Sequence, residues 1–154
     1  FALSKTFNPV YGYKELEAIF GDRRPESAKE LEEAVRAVRA RKLPDPKVLP
    51  NAGSFFKNPV VTRTKMLHLL EETPSLVSYP LGGARAKIAA GWLIEACGLK
   101  GKRMGQAGVY ERQALILVNY GGATGAEIKA LAEEVARNVK YRFGVELEPE
   151  PVIL

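Results

Sequence analysis

Histidine, cysteine and tryptophan each occur once in the 154 residues, as His68, Cys97 and Trp92. A lone cysteine excludes an internal disulfide and fits a reducing, cytoplasmic setting. One histidine and one cysteine leave too few ligands for a zinc site of the usual kind, so no metal is expected. No apolar run approaches the roughly 20 residues needed to cross a bilayer. The start, Phe1-Ala2-Leu3-Ser4-Lys5, lacks the charged head and long apolar stretch of a signal peptide. Repeats, low-complexity tracts and linker-like runs are missing as well. What remains is an ordinary globular composition, 46% hydrophobic and 27% charged. The length suits one domain with a proper core, or a domain plus a fragment. A net charge of +5 points to nucleic acid, an anionic membrane or small phosphorylated ligands. The basic residues are dispersed, often beside Glu, and no nucleic-acid-binding motif is present.

The stretch around which the rest is arranged is Asn51-Ala52-Gly53-Ser54-Phe55-Phe56-Lys57-Asn58-Pro59. Glycine lets a backbone approach a ligand closely, and a hydroxyl, a cation and an amide follow at once. Extended, the run puts Ser54, Phe56 and Asn58 on one face and Phe55 and Lys57 on the other. Two readings stand: a strand facing a ligand, or an edge strand with two core phenylalanines.

Residues 1–13 read as a strand and an irregular turn. Ser27-Ala28-Lys29-Glu30 is a capping box. It opens a helix whose Leu31, Ala34, Val35 and Val38 form a buried face. Arg36, Arg39, Arg41 and Lys42 gather at its C-terminal end, where cations suit the helix dipole, and Pro44 stops it. Residues 62–72 predict a short helix and 73–86 a loop. A helix over about Lys87–Cys97 is apolar almost all round and ends at Gly98. Gly105–Tyr110 and Gln113–Asn119 read as strands, the second of them central. Thr124-Gly125-Ala126-Glu127 opens a helix with Ile128, Leu131, Val135 and Val139 inside, closed by Gly144. Val145–Glu148 begins a strand that Pro149 and Pro151 interrupt. This irregular alternation predicts an α+β fold, with helices packed on a small, largely antiparallel or mixed sheet.

Three further motifs flank the central run: Lys42-Leu43-Pro44-Asp45-Pro46-Lys47, Ala90-Gly91-Trp92-Leu93-Ile94 and Leu147-Glu148-Pro149-Glu150. In that order and spacing the chain strongly resembles, over nearly its whole length, the UDP-N-acetylenolpyruvoylglucosamine reductase family. The resemblance implies a cytoplasmic flavoenzyme of peptidoglycan synthesis. It would use FAD and NADPH to reduce UDP-N-acetylglucosamine enolpyruvate to UDP-N-acetylmuramate. By the same resemblance, residues 1–17 end a truncated flavin-binding domain and 18–43 form a connecting segment with a helix. Residues 44–148 make the substrate-binding α+β domain, and 149–154 start a strand returning to the missing N-terminal part. The flavin-binding half, supplied in cis or in trans, is then the implied partner, with no nucleic acid or membrane involved. The chain alone is expected to be colourless and inactive with NADPH.

The resemblance also implies roles. Ser54 matches the proton donor to the carbanion-like intermediate, and Glu150 the group that hydrogen-bonds the substrate carboxylate. Tyr13 and Lys42 match contacts to phosphate, Lys87 and Lys100 lie near anionic ligands, Asn58 and Gln113 orient substrate, and Tyr79 lies by the nicotinamide nucleotide. A diphosphate, a carboxylate and NADPH would account for the surplus positive charge. On the residues alone, Tyr13 reads more commonly as an amphipathic surface residue, and the basic helix end as solvated. His68 reads as structural or exposed. Glu148 rivals Glu150 from the same strand face. A non-catalytic nucleotide-sugar-binding module and a basic α+β domain that binds RNA are the alternatives from other classes.

Overall fold

A computed structural model describes residues 4–153 and divides into two units, one ending at Pro44 and the other beginning at Asp45. The first holds two helices, α1 (Lys14–Phe20) and α2 (Ala28–Lys42). The expected early strand is not found over residues 4–13; residues 1–3 lie outside the described part. Unforeseen α1 buries Leu16 and Phe20, one turn apart, with Tyr11 edge-on to the Phe20 ring at 5.7 Å. Ser27 caps α2 as expected, its hydroxyl accepting from the Glu30 N–H at 3.2 Å. The Glu30 carboxylate reaches the Glu26 N–H instead of that of Ser27, so the box closes one residue early. Leu31, Val35 and Val38 are half-buried, not fully buried as their spacing suggested. With Val10 and Leu16 they floor a groove of about 410 Å³ rimmed by Tyr13, Glu15, Arg39 and Lys42.

The second unit runs β1 (Asn51–Ser54), β2 (Val60–Thr62), α3 (Arg63–Glu72), β3 (Ser78–Leu81), β4 (Arg85–Ile88), α4 (Ala90–Ala96), β5 (Arg103–Met104), β6 (Ala107–Val109), β7 (Ile116–Asn119) and α5 (Gly125–Phe143). The fold is α+β. Its strands form two antiparallel sheets where one was expected, in the orders β1-β7-β6-β5 and β2-β4-β3. The stretch read as a loop over 73–86 contains β3 and the start of β4, and Lys87 lies on β4, because the helix expected from Lys87 begins only at Ala90. Pro80 had marked the stretch as irregular. It sits on an edge strand, where a missing N–H costs little.

Phe56, Ile88, Leu93, Val118, Leu131 and Val135 are among the side chains fully buried between the sheets and helices. At about 1.5–3 kcal/mol for each such burial, this shared core holds the second unit together. Thr124 and Glu127 form the complete capping box of α5. Glu127 N–H donates to the Thr124 hydroxyl (3.2 Å) and Thr124 N–H to the Glu127 carboxylate (2.7 Å). Gly144 ends the helix at φ 60°, a left-handed position that favours glycine. Between β5 and β7 the Tyr120 ring lies under the Arg103 guanidinium, 3.4 Å from its centroid, and against Gly108. No described helix is long and apolar enough to cross a membrane.

Candidate functional site

At the end of β1, Gly53 adopts φ +75°, and the register with β7 shifts between Asn51 and Ser54. This is a bulge, which re-aims the side chains that follow it. Strict alternation fails there: Phe55 and Phe56, neighbours in the chain, are both buried and meet edge-on at 5.2 Å, while Ser54 is exposed. The Phe55 N–H bonds to the Leu115 carbonyl (2.8 Å) on the side of β7. On its other side the run meets the C-terminal segment. Lys57 N–H donates to the Glu148 carbonyl and Glu150 N–H to the Phe55 carbonyl, both at 2.9 Å, around an isolated bridge from Phe56 to Pro149. The strand expected from Val145 is reduced to that bridge. Its alternation survives, with Val145 and Leu147 buried and Glu146 and Glu148 exposed.

These bonds bring Ser54 and Glu150 to neighbouring backbone positions although 96 residues of sequence number separate them. Both side chains are exposed and neither has a partner among the described residues. The rival carboxylate, Glu148, is engaged in an ion pair with Lys57. Asn58 and Gln113 converge on the start of α4. Ala89 offers that helix no side-chain cap, and the Asn58 Oδ1 supplies one from outside by accepting the Ala90 N–H at 2.9 Å. Gly91 leaves room for Gln113: a Cβ there would stand 3.2 Å from the Gln113 Oε1. Tyr79 and Lys87 are direct cross-strand partners on β3 and β4, and Lys87 pairs on its other side with Val60, two residues beyond Asn58.

The remaining expected residues belong to other elements. Lys100 follows the far end of α4, roughly 10 Å along the helix from Ala90, and is paired with Glu95 at 2.8 Å. Tyr13 and Lys42 belong to the first unit, where they share the rim of its groove. Lys42 is ion-paired there with Glu15, whose carboxyl is held below its ordinary range chiefly by the bond from that lysine. His68 is exposed, 3.5 Å from Glu72 one turn on. Cys97 is half-buried at the end of α4, and burial pushes its thiol up against the opposing effect of Arg142. Arg85, two residues before Lys87, lies on β4 within the stretch read as loop. A hydroxyl, a carboxyl, two amides and a lysine beside an aromatic supply groups that can hydrogen-bond an oxygen-rich ligand.

A family model described as "UDP-N-acetylenolpyruvoylglucosamine reductase, C-terminal domain" matches residues 45–154. A UDP-N-acetylenolpyruvoylglucosamine reductase of Chromobacterium violaceum is 59% identical over 125 residues, covering 81% of this chain and 37% of that protein. One of Paraburkholderia xenovorans is 53% identical over 158 aligned positions, covering 100% of this chain and 46% of that protein. The chain thus spans less than half the length of these curated relatives. A solved structure of UDP-N-acetylenolpyruvylglucosamine reductase from Thermus caldophilus aligns with a TM-score of 0.45 at 29% identity, over 83% of this chain and 36% of that one.

Proposed function

The chain belongs to the UDP-N-acetylenolpyruvoylglucosamine reductase family, and from that premise we propose that it forms the substrate-binding half of a cytoplasmic, NADPH-dependent flavoenzyme that makes UDP-N-acetylmuramate for peptidoglycan. The observation that carries the reading is the bond from the Glu150 N–H to the Phe55 carbonyl, which puts Glu150 across from Phe55, the residue that follows Ser54. In this reading the enolpyruvyl carboxylate lies by Glu150 and the carbon next to it lies by Ser54. Hydride addition at the methylene carbon leaves negative charge on that neighbouring carbon and on the carboxylate. Ser54 then gives its proton to the carbon. A neutral hydroxyl suffices because the intermediate is a strong base. Stabilising developing charge is usually the largest catalytic term, and here it falls to Glu150, which must act as the neutral acid and donate its proton in a hydrogen bond to the substrate carboxylate. Asn58 and Gln113 hold the ligand in line, which supplies much of the remainder.

A flavin finds no fitting set of partners in the cavity that Phe55 lines. That cavity of about 580 Å³ beside β1 is lined by Ala52, Phe55, Ile128, Lys129, Pro151 and Ile153 among others. One cation among apolar groups gives no set of partners for a pyrophosphate and a ring edge. The flavin is therefore assigned to another part of a longer protein, and no step is routed through it on this chain.

Stopped-flow kinetics of the full-length reductase test the reading. Ser54→Ala should slow flavin reoxidation by the enolpyruvyl substrate about 10²–10⁴-fold and leave flavin reduction by NADPH nearly intact. Ser54→Cys should recover part of the rate. Glu150→Gln should slow reoxidation, and Glu148→Gln much less. Equal slowing of both half-reactions by Ser54→Ala would make Ser54 structural. Binding of the sugar nucleotide without turnover in the parent would make the protein a binding module.

A further inference from the structure

The sheet of β2, β3 and β4 buries Ala86 and Ile88 on one face and turns Arg85 and Lys87 to the other. Two rows cross that outer face: Val60, Lys87 and Tyr79 in one, and Thr62, Arg85 and Leu81 in the next. Alternate residues of a strand stand about 6.5–7 Å apart, so the two cations are neighbours. The Arg63 N–H donates to the Ala84 carbonyl at 2.8 Å, which draws a third basic residue to the end of the face where Arg85 lies. No acidic residue occurs from Pro46 to Leu70 or from Thr73 to Ile94. Among the described residues Arg63, Arg85 and Lys87 make no ion pair, whereas Lys57, Lys100, Lys102 and Lys140 each hold a glutamate. A face with neighbouring positive charges, no carboxylate and an exposed tyrosine complements an anionic ligand that carries an aromatic ring.

We propose that Arg85 is a specificity residue for the reduced nucleotide, gripping the 2′-phosphate that distinguishes NADPH from NADH. This rests on the expectation, drawn from the resemblance above, that Tyr79 lies by the nicotinamide nucleotide and Lys87 near an anionic ligand. Each group on the face offers a different contact. The Tyr79 ring suits a flat base, and Lys87, half-buried between Tyr79 and Val60, suits the diphosphate as a point charge. Arg85 is more exposed and stands one row farther out. Its planar guanidinium donates two parallel bonds, the geometry that a terminal phosphate monoester accepts. Arg63 adds charge at that end, and the Thr62 hydroxyl, which accepts the Lys65 N–H, keeps its own proton to donate.

Calorimetric titration of the full-length reductase with adenosine 2′,5′-bisphosphate and adenosine 5′-phosphate tests the assignment. The parent should prefer the bisphosphate about tenfold or more, the worth of one charge-assisted contact. Arg85→Ala should abolish the preference, Arg85→Lys should keep part of it, and Arg63→Ala should weaken it less. The ratio of kcat/KM for NADPH over NADH should fall with it. Thermal melting like that of the parent would show Arg85→Ala to be folded. No preference in the parent, or a preference that survives Arg85→Ala, overturns the proposal. It is overturned equally if Arg85→Ala weakens UDP instead, for the face would then serve the sugar nucleotide. Failure of the wider reading looks different: NADPH would not reduce the flavin of the parent enzyme, whatever the outcome of the titrations.

Discussion

Asn58 caps α4 and, in the proposed reading, also orients the substrate, two roles that substitution can separate. Its Oδ1 accepts the Ala90 N–H and so caps α4, while its amide N–H group remains available to a ligand. Asn58→Ala removes both. Losing a cap costs about 0.5–2 kcal/mol. Unfolding entropy is about 2.1 cal/mol/K per residue, so a unit of about 110 residues should melt roughly 2–9 °C lower. Asn58→Asp keeps the acceptor and puts a negative charge at a helix start, where it is tolerated or favoured. Its melting point should stay within about 1 °C of the parent, since the cap energy is retained. Both variants should bind the UDP-sugar about tenfold more weakly in the full-length enzyme, for want of the amide donor. Trp92 reports the unfolding directly: it is the sole tryptophan, it lies in α4, and it packs 5.8 Å from the Phe143 ring. Asn58→Ala melting with the parent would refute the cap. Asn58→Asp losing as much stability as Asn58→Ala would show that the amide N–H is structural.

Lys42→Met should weaken UDP-sugar binding and flatten its salt dependence. Glu15→Gln, which frees Lys42 from its ion pair, should tighten binding; a Lys42→Met protein that binds like the parent removes the lysine from the site. The Glu127 carboxyl lies below its ordinary range, chiefly through the Thr124 N–H and then the Thr124 hydroxyl. A lowered folded-state value stabilises fully above the unfolded value, and that contribution is lost as pH falls through the lowered one. Urea midpoints of the parent should therefore drop below about pH 4.5 more steeply than those of Glu127→Gln, and parallel curves would exclude Glu127. In Gly108→Ala the new Cβ would stand 2.6 Å from the Tyr120 Cε2, so the ring must move and loosen its stack with Arg103. Denaturation should show a loss of about 1–3 kcal/mol, and an unchanged midpoint would mean that the ring shifts freely.

Local signals carried much of this fold into the sequence. Thr124 with Glu127, and Gly144 after Phe143, bracket α5 because caps and left-handed ends are decided within a few residues. Helix α1 was hidden because seven residues bury only Leu16 and Phe20, too few to set a period. The β3–β4 hairpin was hidden by its own punctuation: Pro80 and Gly82-Gly83 read as loop whether or not strands flank them. The site was legible as residue types and illegible as an arrangement. Nothing local announces that Phe55 bonds to Glu150, or that Asn58 caps a helix beginning at Ala90. Both contacts join distant parts of the chain, and only the closed core brings them together.

The distribution of partners sharpens the functional reading. Ser54, Tyr79, Lys87 and Glu150 spend no side-chain group on the fold among the described residues. Their backbones, by contrast, are fixed by pairing with β7, the C-terminal segment and β4. Main-chain bonds therefore set where these groups stand, and their side chains are left for whatever arrives. In the proposed reading Lys42 and Lys100 would meet a phosphate while already paired with Glu15 and Glu95, and those pairings would moderate how strongly each attracts one. Exposed ion pairs of this kind are worth about 0–1 kcal/mol, and a ligand carrying two phosphates outbids them easily. The bulge at Gly53 then has a physical purpose. It sends Phe55 and Phe56 into the core together and leaves the Ser54 hydroxyl just before them in the open, one residue from the position that Glu150 faces.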